Sequence, residues 1–523
     1  MLRSIRPVCA RGWSRYHSTT STRSAAVVPT ANTSATAPPP PPPPVNSASS
    51  RLKPQPFIPK LSSRKLQLES LSTNSHDPAR STTLYFLDPA SPASSRISLS
   101  LPNLWLRDAS IHPSHVHPSS NQKLFRTSDI PSRGKLIGYG VHKLPGKGDC
   151  LVTEWSTPLS TPGMDPKSVK LSVVPLDTLG GLLKGGKDLD DVLGNLPESR
   201  VWDKRSLDRT LVKMDYEHFV GDDSALLRML DGLIRDGIVF LRNVPTTDKA
   251  GHETELKRVV QRIGSLRKTW YGDLWDVKAE QGSKNIAYTN LDLGLHMDLT
   301  HFDHPPRYQF LHSLVNAQVT GGESYFVDSY ALAHHLRETS PSHFATLCTE
   351  PVHFEYKNGP HWTRFSRPTF ELVADSQHTL KAVNYSPPFQ GNLPLERLRR
   401  ELASSGGGSG GTAVTSDDTE RLLDLHEALG EFARLCDDVD GKWRFTHQLQ
   451  PGDCVIFDNR RVLHARTAFE FTESSEQGPS GAESGRWLKG AYMDGDEVWS
   501  RWRVEREKQG KASAPGKGRT LFV

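Results

Sequence analysis

The chain has 523 residues, a formal net charge of +5 and 36% apolar side chains. That length exceeds what one domain requires and supplies ample material for a large core. No apolar run approaches the ~20 residues of a membrane-spanning helix. The charge is modest and interspersed, which excludes the dense basic footprint of a nucleic-acid binder.

The N-terminus carries Arg3, Arg6, Arg11, Arg15 and Arg23 in a Ser/Thr/Ala-rich stretch, with no acidic residue before Glu69. Leu2, Ile5 and Val8 lie near helical spacing among them. This is the composition of a mitochondrial transit peptide, with a disordered basic tail as the alternative. The proline run from Pro38 to Pro44 reads as a stiff spacer. Residues 1–68 are therefore predicted to be presequence and linker, and the mature protein to sit in the mitochondrial matrix.

Residues 69–205 read as a small β-rich domain. The runs TTLYFLD, SRISLSLPNLWLRD, CLVTEW and SVKLSVVPL are short, apolar or alternating, and separated by Pro, Gly and Ser. Residues 206–505 form the main domain. Leu226, Leu227, Leu230, Leu233 and Ile234 recur at helical spacing after Asp223 or Ser224 as N-cap. GIVFLRNVP, RYQFLHSLV, GESYFVDSY, VHFEYK, TLKAVNYS, WRFTHQL and DCVIFDN read as strands. YALAHHLRETS and TERLLDLHEALGEFARLCDDV read as helices packed outside them. Short strands with regular turn signals predict a sandwich or jelly roll. Gly/Ser-rich stretches from Ser404 and around Glu473 read as surface insertions, and residues 506–523 as a C-terminal tail. Cys9, Cys150, Cys348, Cys436 and Cys454 are scattered and odd in number, which argues against a disulfide framework or a thiolate zinc site.

His296 and Asp298 stand as His-x-Asp in LGLHMDLTHFDHPP, and His464 lies far downstream in VIFDNRRVLHAR. Two imidazoles and one carboxylate can occupy one face of an octahedral iron and leave three positions open for small molecules. Around them stand DHPPRYQFLHSL, TGGESYFVDSY and GRWLKGAYMDGD, in that order. From about Leu104 to Arg503 this set resembles the iron(II)/2-oxoglutarate dioxygenases of the TauD/TfdA superfamily, within it the γ-butyrobetaine and trimethyllysine dioxygenase branch.

The resemblance implies a mostly β fold with flanking helices: a double-stranded β-helix, or jelly roll, preceded by the small β-rich domain. It implies iron held by His296, Asp298 and His464, with 2-oxoglutarate and O2 as cosubstrates. Arg486 matches the arginine that grips the distal carboxylate of 2-oxoglutarate, a task suited to a planar guanidinium fork. Arg466 competes for that role, and Ser324 falls where many relatives place a hydroxyl near the same cosubstrate. Tyr271, Trp275, Tyr288 and Tyr492 match aromatics that cage a trimethylammonium group. Such a cation cannot donate a hydrogen bond, so ring faces are its natural receptor. Asn285 matches a side chain that meets the substrate carboxylate and leans toward γ-butyrobetaine, with Asn384 keeping part of that role. Relatives are often homodimers.

Three features depart from the family pattern. Leu299 stands where the butyrobetaine branch often has an aromatic. NYSPPFQGN replaces a paired-Asn segment. In the N-terminal domain Ser110, His112 and His115 stand where relatives have zinc-binding cysteines; with His117 they offer imidazoles but no nameable fourth ligand, which favours loss of the zinc. Two rivals remain for the main site: a zinc hydrolase using the same three ligands, and a non-catalytic relative.

Overall fold

The computed structural model describes residues 67–512 apart from 88–95, 118, 160–169, 186–192, 248–253, 279–291, 318, 375, 377, 394–415, 439–440 and 472–484. Of the predicted presequence and linker all but Gln67 and Leu68 lie outside the described residues, as do most of the insertion from Ser404 and residues 472–484 around Glu473.

The first described stretch builds two three-stranded antiparallel sheets. β1 (Gln67–Thr73), β2 (Ser81–Leu87) and β3 (Arg96–Pro102) form one, followed by helix α1 (Asn103–Asp108). β4 (Leu136–Leu144), β5 (Gly148–Trp155) and β6 (Leu171–Pro175) form the other, followed by α2 (Leu176–Lys184). Alternation in β2 turns Leu84 and Phe86 inward. They meet Leu106, Leu151, Trp155, Val174 and Leu179 in a core made only of this stretch.

The main body opens with α3 (Lys204–Thr210), β7 (Val212–Asp215), α4 (Tyr216–Gly221), α5 (Asp223–Asp236) and β8 (Ile238–Arg242). The N-cap of α5 is Asp222, one position before the predicted pair, and its side chain accepts from Ser224 N at 2.8 Å. Then come α6 (Glu255–Ile263), β9 (Leu274–Lys278), β10 (Leu293–His296), β11 (Tyr308–Ala317), β12 (Val319–Gly321) and β13 (Ser324–Asp328). α7 (Ser329–Thr339) and α8 (Pro341–Thr349) lead to the hairpin of β14 (Pro351–Asn358) and β15 (His361–Pro368), then β16 (Phe370–Leu372) and β17 (Leu380–Val383). α9 (Ser416–Asp437) precedes β18 (Phe445–His447), β19 (Cys454–Asp458), β20 (Val462–Arg466), β21 (Phe469–Phe471), β22 (Gly485–Met493) and α10 (Gly495–Ala512).

Two sheets face each other. The larger has the order β7-β8-β19-β11-β22-β9, the smaller β10-β20-β13-β18. Strict alternation sorts their side chains. Ile238, Phe240, Val455, Phe457, Leu311 and Phe326 point into the space between the sheets, where the rings of Phe240 and Phe326 meet edge to face at 6.2 Å. Val239, Leu241, Cys454 and Ile456 point the other way, onto α5, α6 and α10. Tyr325, Val327, Leu463 and Ala465 lie on the outer face of the smaller sheet, against α7, α8 and α9. The strands of the predicted jelly roll thus form two helix-flanked layers; their pairing does not close into a barrel among the described residues.

Several expectations need correction. VHFEYK pairs with β15 in a separate hairpin rather than with either main sheet, and TLKAVNYS pairs only with β16. The predicted C-terminal tail is helical to Ala512, because Val498 and Trp502 anchor α10 in the core. Helix α9 begins at Ser416, inside the stretch read as an insertion. Cys150, Cys348, Cys436 and Cys454 are free thiols.

Candidate metal centre

His296 ends β10 and His464 sits mid-strand in β20; the antiparallel register of these neighbours sets the two histidines directly opposite each other. A 168-residue separation in sequence (464 − 296) becomes a contact, with ring centroids 4.3 Å apart. Asp298 follows two positions after His296, with Oδ1 3.5 Å from His296 Nε2. One ligand atom from each of the three residues lies within 4.8 Å of the others, and they are the only such group of three among the described residues.

Each ligand is held by its surroundings. His296 Nδ1 lies 2.8 Å from Gly294 O. A carbonyl only accepts, so Nδ1 carries the proton and Nε2 is left with its lone pair toward the site. His464 is enclosed, and burial, then the neighbouring His296, lowers its pKa to about 3. It is therefore neutral, as a metal ligand must be, and its Nδ1 has no hydrogen-bond partner among the described residues. Asp298 is anionic: burial raises its pKa, but hydrogen bonding to His296, the nearby His464 and His296 rings and the Tyr492 hydroxyl outweigh burial and carry it well below the usual carboxylate range. The Tyr492 hydroxyl donates to Asp298 Oδ2 at 2.7 Å. Asn459 clamps the backbone on both sides, accepting from Asp298 N at 2.8 Å and donating to Asp298 O at 3.0 Å. The next residue, Leu299, is buried at φ 57°, a left-handed conformation that costs a non-glycine residue about 1 kcal/mol.

The triad opens into a cavity also lined by Trp275, Gln309, Ser324, Arg466 and Arg486. Arg486 is buried, and burial, then repulsion from Arg466, lowers its pKa to about 9. Among the described residues no carboxylate contributes to that shift. A buried guanidinium in the cavity wall suits a carboxylate, and a keto dicarboxylate carries two. Ser324 stands opposite Arg466 in the β13–β20 register.

The aromatic residues divide. Trp275 stacks on Tyr492 with centroids 5.2 Å apart. It lies so close over Gly490 that a Cβ there would stand 2.3 Å from the indole. Tyr271 packs against Trp270 at 5.9 Å; burial and the Tyr356 hydroxyl hold its phenol pKa up, offset in part by Trp270. Tyr288 and Asn285 lie outside the described residues. Asn384 is buried away from the cavity, its Nδ2 donating to Pro368 O at 2.8 Å and to Glu371 Oε1 at 2.9 Å. Sequence reasoning missed Gln309, Asn459 and Gly490. It also missed a pile of rings made by Trp270, His301, Tyr356 and His361, with Trp270–His361 at 4.7 Å and His301–Tyr356 at 5.2 Å.

Residues 203–492 match the family model described as "Taurine catabolism dioxygenase TauD, TfdA family". The chain belongs to the TauD/TfdA family. Among relatives of this family member, Dioxygenase str8 of Strobilurus tenacellus is 37% identical over 405 residues, covering 77% of this chain and 84% of that protein. Probable oxidoreductase AIM17 of Saccharomyces cerevisiae is 29% identical over 458 residues, 82% of this chain and 89% of that protein. The γ-butyrobetaine dioxygenase of Homo sapiens is 30% identical over 312 residues, 60% of this chain and 70% of that protein. This TauD/TfdA protein is a 2-oxoglutarate-dependent dioxygenase, its cofactors are iron(II) and 2-oxoglutarate, and the His-Asp-His group fits the metal.

In the N-terminal stretch His112, His115 and His117 do not gather as a metal set among the described residues. His112 Nδ1 accepts from Ser114 N at 3.2 Å, and His115 Nδ1 pairs with Ser110 Oγ at 2.9 Å.

Proposed function

We propose that this dioxygenase hydroxylates an unactivated C–H bond of a small trimethylammonium carboxylic acid, with γ-butyrobetaine to L-carnitine as the leading reaction. The observation that carries this reading is Trp275, laid flat over Gly490 and stacked on Tyr492 at the rim of the metal cavity. An aromatic face in that place suits a cation that has no N–H to donate.

His296, Asp298 and His464 would hold the iron. When bound, the iron couples O2 and oxidative decarboxylation of 2-oxoglutarate, giving succinate and CO2, to insertion of one oxygen atom into the substrate C–H bond. The chain does the positioning and the exclusion of water. Arg486 takes the distal carboxylate of the keto acid, Arg466 adds positive potential, and Ser324 offers a hydroxyl on the same wall. Tyr492 and Asn459 keep the Asp298 carboxylate oriented. Import into the mitochondrial matrix is part of the proposal, resting on the Arg-rich, acid-free start of the chain. Deleting residues 1–66, up to the start of β1, should then leave the protein in the cytosol. A homodimer is the assembly the family resemblance implies, and sedimentation tests it.

The test is anaerobic iron reconstitution followed by 2-oxoglutarate turnover with γ-butyrobetaine, trimethyllysine and taurine side by side. γ-Butyrobetaine should give the fastest succinate release. Trp275→Ala should weaken only the quaternary amines, by up to ~2 kcal/mol. Equal loss with taurine would refute the cage. A second reading, a different small acid, is favoured by the 37% identity to Dioxygenase str8, higher than the 30% to the human γ-butyrobetaine enzyme. Turnover with none of the three substrates would point there.

A further inference from the structure

Gln309 sits on β11 with its side chain between the two sheets, in line with Leu311. It is buried, and its Oε1 has no hydrogen-bond partner. Its partners in register are Phe457 on one side and Tyr492 on the other. Tyr492 is the residue whose hydroxyl holds Asp298, so Gln309 stands at the triad end of the cavity. Arg486 lies at the opposite end of β22, six positions before Tyr492 (492 − 486).

A buried carboxamide with an unmade hydrogen bond is destabilising, and a leucine or methionine would fill the same place without that cost. What places Gln309 in reach of a ligand is its position in the wall of the metal cavity, with no hydrogen bond from its amide to the described residues. Oε1 is enclosed and Nε2 is not among the enclosed, unpartnered atoms, so Nε2 is the end available to a ligand in the cavity. That end donates.

We infer that Gln309 is a cosubstrate-binding residue, donating through Nε2 to the carboxylate at the keto-acid end of 2-oxoglutarate. The inference rests on the proposed grip of Arg486. A keto acid held by its distal carboxylate at Arg486 directs its other end toward the triad, where Gln309 waits. The contact orients the end of the cosubstrate that is decarboxylated.

The experiment measures anaerobic binding of 2-oxoglutarate to the iron(II)-loaded full chain by calorimetry, for the natural protein, Gln309→Met and Gln309→Glu. Methionine keeps length and volume but cannot donate, so affinity should fall about tenfold. Glutamate sets like charges together, so affinity should fall further. Should Gln309→Glu fail to fold, Gln309→Met carries the test alone. Unchanged 2-oxoglutarate affinity in Gln309→Met overturns the inference, whether the substrate KM or only the melting temperature moves. Weaker iron binding in Gln309→Met before any 2-oxoglutarate is added also overturns it, since that marks a structural role. If the natural protein itself binds no 2-oxoglutarate with iron, the Arg486 reading fails first, and with it this one.

Discussion

Two regions of this molecule gather metal-ligating side chains, and only one brings them together. The His112 and His115 rings stand 5.5 Å apart, yet the Nδ1 atoms of His112, His115 and His117 serve local hydrogen bonds to Ser114, Ser110 and Ser120, and the three form no metal-ligating group among the described residues. His296 and His464 are far apart in sequence, yet strand register sets them opposite each other with Asp298 alongside. Closeness along the chain orders a loop. Closeness across a sheet, with side chains packed among buried neighbours, gathers three metal-ligating groups at one point.

This contrast can be broken at several points. The largest effect belongs to His464→Ala, which should abolish succinate release with every substrate; residual turnover near the natural rate would mean the ligand set is elsewhere. Next, Arg486→Met should weaken 2-oxoglutarate binding on the order of a hundredfold, because a charge-assisted, bidentate contact is lost; calorimetry reads it, and an unchanged value would transfer the role to Arg466. Tyr492→Phe keeps the ring against Trp275 but removes the hydroxyl from Asp298. Partners of metal ligands contribute roughly tenfold to metal affinity or activity, so iron affinity should drop by about that factor. A loss confined to substrate KM would instead mark Tyr492 as a cage residue alone. The smallest effect is expected in the other region: His115→Ala removes a buried contact with Ser110 and should lower stability by about 1 kcal/mol in urea unfolding while leaving metal content unchanged. Loss of a metal equivalent in that variant would erase the contrast.

Much of the layered body is legible in the sequence. GIVFLRNVP, RYQFLHSLV, GESYFVDSY and DCVIFDN are short apolar runs bounded by turn residues, and each became a strand buried on both faces. The hairpin partner β15 was not read, because HWTRFSRP alternates aromatics with charge and its exposed residues hide the period. The Gly359-Pro360 turn between the paired Asn358 and His361, with Gly359 at φ 56°, was the available signal. Helix α10 escaped because Val498 and Trp502 are few among many charges. At the site, family resemblance named the three ligands and Arg486, and the structure gathers all four around one cavity. It could not name Asn459, Gln309 or Gly490. Their roles come from cross-strand neighbours and from a close approach to an indole, and no pattern within one segment encodes either.

The most direct test of the centre is anaerobic titration of iron(II) into the full chain with 2-oxoglutarate present, for the natural protein and for His296→Ala, Asp298→Ala and His464→Ala. One high-affinity iron per chain that disappears in all three variants is the predicted result. An iron that stays bound when either histidine or Asp298 is removed would show that β10 and β20 do not share it.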